Sequence, residues 1–154
     1  MKKVLPVALI LVLSISVVSI AGSMEVGVKT NPSLDLAGFT EFYFNDYFSL
    51  GASLAGSRTV QTASYTLEHV QVSAKYHAPS IRSMVSFYGG GGLRLGLTEG
   101  GTADQVYSAF LFGVRINSGI GLNVIGEFDL VSPVNDLTDY KLEPWIGVGF
   151  RFPL

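Results

Sequence analysis

Two histidines are the only imidazoles in the 154-residue sequence, and there is no cysteine. His69 and His77 share a parity but lie eight residues apart. At a strand rise of ~3.3 Å per residue they are too distant to hold one metal ion. Ser64 and Ser73 flank His69, and histidine beside serine is the pairing a hydrolase or acyltransferase uses to activate a hydroxyl. Serine is abundant in this chain, however, and no spacing selects a third member of a triad. Gly89-Gly90-Gly91-Gly92 invites a phosphate-cradle reading, but a phosphate loop continues into Gly-Lys-Ser/Thr and opens a helix. Here the glycines run directly into Leu93 and Leu95 at alternate positions, which is the texture of a kinked or closely packed strand. No cofactor site and no metal site emerges from these residues.

The charged residues show more order. Within their own segments Glu25, Glu41, Glu127, Asp129 and Glu143 fall on the same parity as Lys29, Lys75, Arg94, Arg115 and Arg151. Successive strand residues point to opposite faces, so a period of two collects these ten charges on one side of a sheet. Five of each sign suit mutual neutralisation, and an enclosed face would demand it. Glu127 would then find a partner such as Arg94 or Arg115. Trp145 shares this parity as a filler or interfacial anchor.

Eight alternating segments must position them. The clearest is the last, residues 139–152. From Leu142 its even positions are Leu142, Pro144, Ile146, Val148, Phe150 and Phe152; its odd positions are Glu143, Trp145, Gly147, Gly149 and Arg151. Segments 24–30, 37–44, 47–57, 61–77, 83–97, 105–117 and 120–131 alternate in the same way, apolar against small or polar. Ile125 breaks the pattern, and the phase is lost before Glu68, which predicts a bulge or a projecting hairpin there. Turn-forming residues separate the segments: Asn31-Pro32-Ser33, Asn45-Asp46, Ala78-Pro79-Ser80, Glu99-Gly100-Gly101 and Ser118-Gly119.

The first 21 residues are an expected export signal. Lys2 and Lys3 precede an apolar stretch too short to span a bilayer comfortably, and Ser19-Ile20-Ala21 predicts cleavage after Ala21. Residues 22–154 then form one domain of 133 residues, with 8 basic against 12 acidic side chains once Lys2 and Lys3 are gone. A net charge of −4 argues against nucleic acid as a partner. No later apolar run approaches the ~20 residues of a membrane helix. A membrane protein without such helices must be a closed barrel, because hydrocarbon cannot satisfy open backbone groups. The expected fold is therefore all-β: an eight-stranded antiparallel up-and-down transmembrane barrel.

The turns sort into two rims. Residues 45–46, 78–82 and 117–119 lie at the end nearest both termini, with Phe42, Phe44, Tyr47, Phe48, Tyr76, Phe150 and Phe152 as an aromatic girdle. Residues 31–36, 58–60, 98–104 and 132–139 form the other rim. Gly147, Phe150 and Phe152 resemble the carboxy-terminal assembly signal of bacterial outer-membrane barrels. The whole of 22–154 resembles the small eight-stranded outer-membrane barrels of the OmpA transmembrane-domain and OmpX type. That resemblance implies residence in the outer membrane of a Gram-negative-type envelope and contact with its lipids and lipopolysaccharide. It also implies delivery by the barrel-assembly machinery through the last strand, a monomer without a large pore, and a structural or surface-interaction role. Two other classes are consistent with the alternation. A lipid-A-modifying enzyme would depend on His69, and a soluble lipocalin-like carrier would turn the greasy face inward.

Overall fold

The computed structural model describes residues 22–59, 64–81, 84–98 and 102–154. The expected signal, residues 1–21, lies outside the described residues. Eight strands follow one another: β1 (Ser23–Thr30), β2 (Leu36–Tyr43), β3 (Phe48–Thr59), β4 (Ser64–His77), β5 (Val85–Leu97), β6 (Ala103–Asn117), β7 (Leu122–Pro133) and β8 (Lys141–Pro153). No end departs from the sequence reading by more than three residues. Each strand pairs antiparallel with the next, and β8 returns to pair with β1, so the sheet closes into a barrel. Closure leaves no sheet edge, which is what lets a sheet stand in hydrocarbon. Among the described residues no helix is long and apolar enough to cross a membrane.

The register realises the alternation. Val26 lies opposite Phe150 and Glu25 opposite Arg151 across the β1–β8 seam, so apolar meets apolar outside and charge meets charge inside. The outer face is apolar around the ring and open to its surroundings, as at Phe110 (58 % exposed) and Ile146 (62 %). The interior holds almost all the buried charge, together with Tyr43, Tyr88, Leu111, Ile125 and Trp145. Ile125 is thus no break in parity; it is an apolar residue among the lumen fillers.

Local departures have local causes. Ala55 pairs with His69 and Gly56 with Leu67, so Glu68 has no opposite residue, and the bulge sits where the alternation lost phase. Pro144 lacks an N–H to give, but the β1–β8 pairing stops at Ile146, leaving Pro144 a neighbour on one side only. In the four-glycine run, a side chain on inward-facing Gly90 or Gly92 would collide with the backbone of β4, whereas Gly89 and Gly91 face outward with room to spare. The glycines let β4 and β5 approach closely and hold no ligand-binding loop. The turn at Gly121 takes φ +87°, the left-handed region glycine occupies without strain.

Candidate functional site

All ten sequence-predicted charges point into the barrel, and nine of them form one connected chain of alternating sign. At the rim bearing the termini, Arg115 lies 3.3 Å from Glu25 and 3.1 Å from Glu41. Glu41 meets Lys75 at 3.3 Å, and Lys75 meets Glu127 at 2.8 Å. Glu127 also receives Lys29 at 2.5 Å, which lies 3.9 Å from Asp129. Arg94 then bridges Asp129 at 3.1 Å and Glu143 at 2.7 Å, and the chain ends on solvent-exposed Lys141, 3.0 Å from Glu143. The pairs run from one rim to the other.

Glu127's partners are therefore Lys29 and Lys75, not the arginines the parity suggested. The tenth charge, Arg151, joins no carboxylate among the described residues: its Nε donates to Ser23 Oγ (2.8 Å) and its guanidinium lies 3.8 Å over the Tyr43 ring. Lys141 is not among the ten because it precedes the clear alternation in the sequence, although its parity is right.

Neutral polar groups join the network. Tyr43 donates to Glu25 at 2.8 Å, Tyr88 to Glu127 at 2.9 Å and Gln71 to Asp129 at 3.3 Å. Ser49 of β3 donates to Glu41 at 2.6 Å, so every strand contributes to the lumen. Glu25 and Asp129 are each 0 % exposed, and an uncompensated carboxylate at such a depth would be severely unfavourable. Room for these long side chains comes from glycine. A side chain at Gly113 would strike the Tyr88 ring, and one at Gly147 would meet Lys29 Cβ at 2.7 Å. Small residues beneath large ones fill a lumen only just wide enough for its own side chains.

The two histidines sit at opposite rims. His69 is half-buried at the far rim, lining a cavity of about 480 Å³ with Arg94, Tyr107, Lys141 and Glu143. Ser73 lies four residues further along the same strand, roughly 13 Å away by strand rise, and the Ser64 side chain lies outside the described residues. His77 does touch a serine, Ser49 Oγ at 2.8 Å from Nε2. Arg115 Nη1 donates to the other ring nitrogen at 3.2 Å, which assigns the ring hydrogen to Nε2, 3.0 Å from Glu41 Oε1. The serine hydrogen is likewise directed at Glu41. A general base needs a bare nitrogen facing the hydroxyl, and this ring presents a hydrogen there.

The barrel has the geometry of known membrane proteins. It superimposes on the N-terminal β-barrel domain of Pseudomonas aeruginosa OprF with a TM-score of 0.64 at 15% identity, covering 86% of this chain and 98% of that one. The fold is that of the small eight-stranded outer-membrane barrels. A de novo designed transmembrane β-barrel aligns with a TM-score of 0.57 at 14% identity over 86% of this chain and 96% of the design. Ail of Yersinia pestis in a phospholipid bilayer nanodisc aligns with a TM-score of 0.53 at 15% identity, over 86% and 99% of the two chains. No family model and no curated protein matches the sequence. The shared property is thus the architecture.

Proposed function

We propose that this chain is a non-enzymatic outer-membrane barrel that contributes to envelope structure or surface interaction, its lumen filled by paired charges rather than by a pore. The observation that carries this reading is the inversion of polarity: charges inside, an apolar belt such as Leu54, Phe87, Leu93, Phe110 and Ile146 outside. A water-soluble carrier of lipids needs the reverse, a greasy cavity and a polar exterior, and would leave far too much apolar surface in water with the faces found here. The belt suits outer-membrane lipids and lipopolysaccharide, and the turn-bearing rim with both termini faces the periplasm in this reading. Phe150 and Phe152, stacked with centroids 6.4 Å apart on the outside of β8, would present the assembly signal to the barrel-assembly machinery, Gly147 completing it. Gly147 also lies beneath Lys29, so its glycine serves the lumen as well. The barrel acts as a monomer in this proposal, with no cofactor.

Extraction and reconstitution test the proposal. The protein should partition with membranes, need detergent for release, and migrate differently on a denaturing gel before and after boiling. Reconstituted into planar bilayers it should show no stable large-conductance pore. Recovery in the aqueous fraction, identical migration before and after boiling, or a reproducible porin-like conductance would each refute it.

A further inference from the structure

Towards the rim that bears the termini Glu25 Oε1, Arg115 Nε and the Asn123 carboxamide are buried without a hydrogen-bond partner among the described residues, and Asn123 shares one cavity with Arg151. Asn123 is 1 % exposed, yet neither atom of its carboxamide has a hydrogen-bond partner among the described residues. Arg151 gives its Nε to Ser23 and its ring face to Tyr43, and its two terminal nitrogens have no acceptor among the described residues. Asn123 lies opposite Gly149, and Arg151 follows Gly149 by two residues on the same face of β8. The two are therefore diagonal neighbours across the β7–β8 pair, and Glu25 Oε1 reaches in from β1 over Gly149. Both line a cavity of about 340 Å³ together with Arg115, His77, Ser86 and Asn117. Among the described residues the one carboxylate on its wall is Asp46, in the exposed β2–β3 turn.

Burying an amide without partners is unfavourable by the desolvation of each group, so a wall built this way calls for an occupant. The donors select its sign. A guanidinium already fixed against an aromatic ring offers two parallel N–H groups with little further ordering, which matches the fork of a carboxylate or phosphate. We propose that this cavity is a binding site for a small oxyanion, a carboxylate or phosphate group, with Arg151 as the ionic anchor and Asn123 Nδ2 as the second donor. Because the cavity opens at the rim, the group can arrive as a free anion or as the headgroup of an anionic lipid. The site is independent of the envelope role proposed above and is testable in any medium that keeps the barrel folded.

Nitrogen-15-labelled protein in zwitterionic detergent is titrated with inorganic phosphate against chloride at constant ionic strength. The Asn123 side-chain amide and the Arg151 Nε–H should shift saturably with phosphate alone. Arg151→Gln should weaken binding by about tenfold or more, and Asn123→Ala by several-fold. Lys141→Gln, at the opposite rim, should leave it unchanged. Should Arg151→Gln not fold, Arg151→Lys keeps the charge without the planar fork and is expected to bind several-fold more weakly. Nanodiscs separate the two sources. Shifts present in phosphatidylglycerol discs without phosphate identify a headgroup; shifts that need added phosphate in phosphatidylcholine discs identify a free anion. Linear, unsaturated shifts, or equal shifts in Asn123→Ala and in the Arg151 variants, would overturn the site and leave a water-filled vestibule.

Discussion

Glu127 and Phe128 are consecutive residues at the middle of β7 with opposite orientations, and together they test the architecture. Glu127 is buried between Lys29 (2.5 Å), Lys75 (2.8 Å) and the Tyr88 hydroxyl (2.9 Å), while Phe128 is 41 % exposed on the outer face. Removing one partner of a buried ion pair costs about 3–5 kcal/mol, because the other charge stays desolvated. For Glu127→Gln the expected cost lies at the lower end, about 3 kcal/mol. Each lysine keeps a second carboxylate, Glu41 at 3.3 Å for Lys75 and Asp129 at 3.9 Å for Lys29. The amide oxygen of glutamine also still accepts one hydrogen bond. Adding Lys75→Met to Glu127→Gln removes the stranded cation and should recover about 1–2 kcal/mol, the coupling expected for residues in direct contact. Phe128→Arg fails differently: a cation facing hydrocarbon near the midplane costs about 2–4 kcal/mol, and no lumenal change should rescue it. Denaturant titrations of folding into lipid vesicles measure each variant against the parent. A harmless Phe128→Arg would mean the faces are reversed. A Glu127→Gln within about 0.5 kcal/mol of the parent, the range of ordinary surface substitutions, would mean the lumenal charges are solvated and the network is not a buried one.

Export with cleavage after Ala21 predicts that amino-terminal sequencing of mature protein begins at Gly22; a start at Met1 or Lys2 would refute it. If Phe150 and Phe152 act as an assembly signal, replacing both with alanine should sharply lower the amount assembled in cells while refolding in detergent proceeds nearly unchanged. Equal losses in the two settings would reduce them to ordinary outer-surface contacts.

Parity and turn chemistry were legible in the sequence because both are local. Alternation over 142–152 is written in consecutive residues, and so is each break at Asn-Pro, Asn-Asp or Ala-Pro-Ser. The strand count, the closure and the inward set follow from them. Partner choice is another matter. Lys29 on β1 reaches Glu127 on β7 across β8, and it does so because Gly147 leaves the intervening strand bare at that height. The height at which each side chain sits depends on the stagger between strands, which no single segment records. That is why Arg94 and Arg115, right in parity, sit too far toward opposite rims to be Glu127's partners. The phase break before Glu68 carried a true signal of a bulge, whereas the apparent exception at Ile125 only showed that a lumen can take an isoleucine among tyrosines and a tryptophan.

A charged interior is a poor source of stability for so small a barrel, since buried ion pairs roughly repay their own desolvation and well-packed apolar residues often do better. Its value lies in making the wrong structure untenable. An eight-stranded barrel with apolar residues on both faces would have little to choose between its own register and one slipped by a single residue, because a one-residue slip exchanges the faces of a strand. Here a slip of β7 would carry Glu127 and Asp129 into hydrocarbon, leave Lys29 without a counter-charge and take one carboxylate each from Lys75 and Arg94. A slip of β1 would carry Glu25 and Lys29 outward and take one partner each from Arg115 and Glu127. Each misplaced cation near the midplane alone costs about 2–4 kcal/mol, against a total folding stability of only about 5–15 kcal/mol for a typical domain. Because the chain of pairs draws on every strand, either directly or through Ser49 on β3, no strand can slip without breaking it. The network therefore fixes which face of each strand meets the membrane, and the fold is made unique by what its interior forbids.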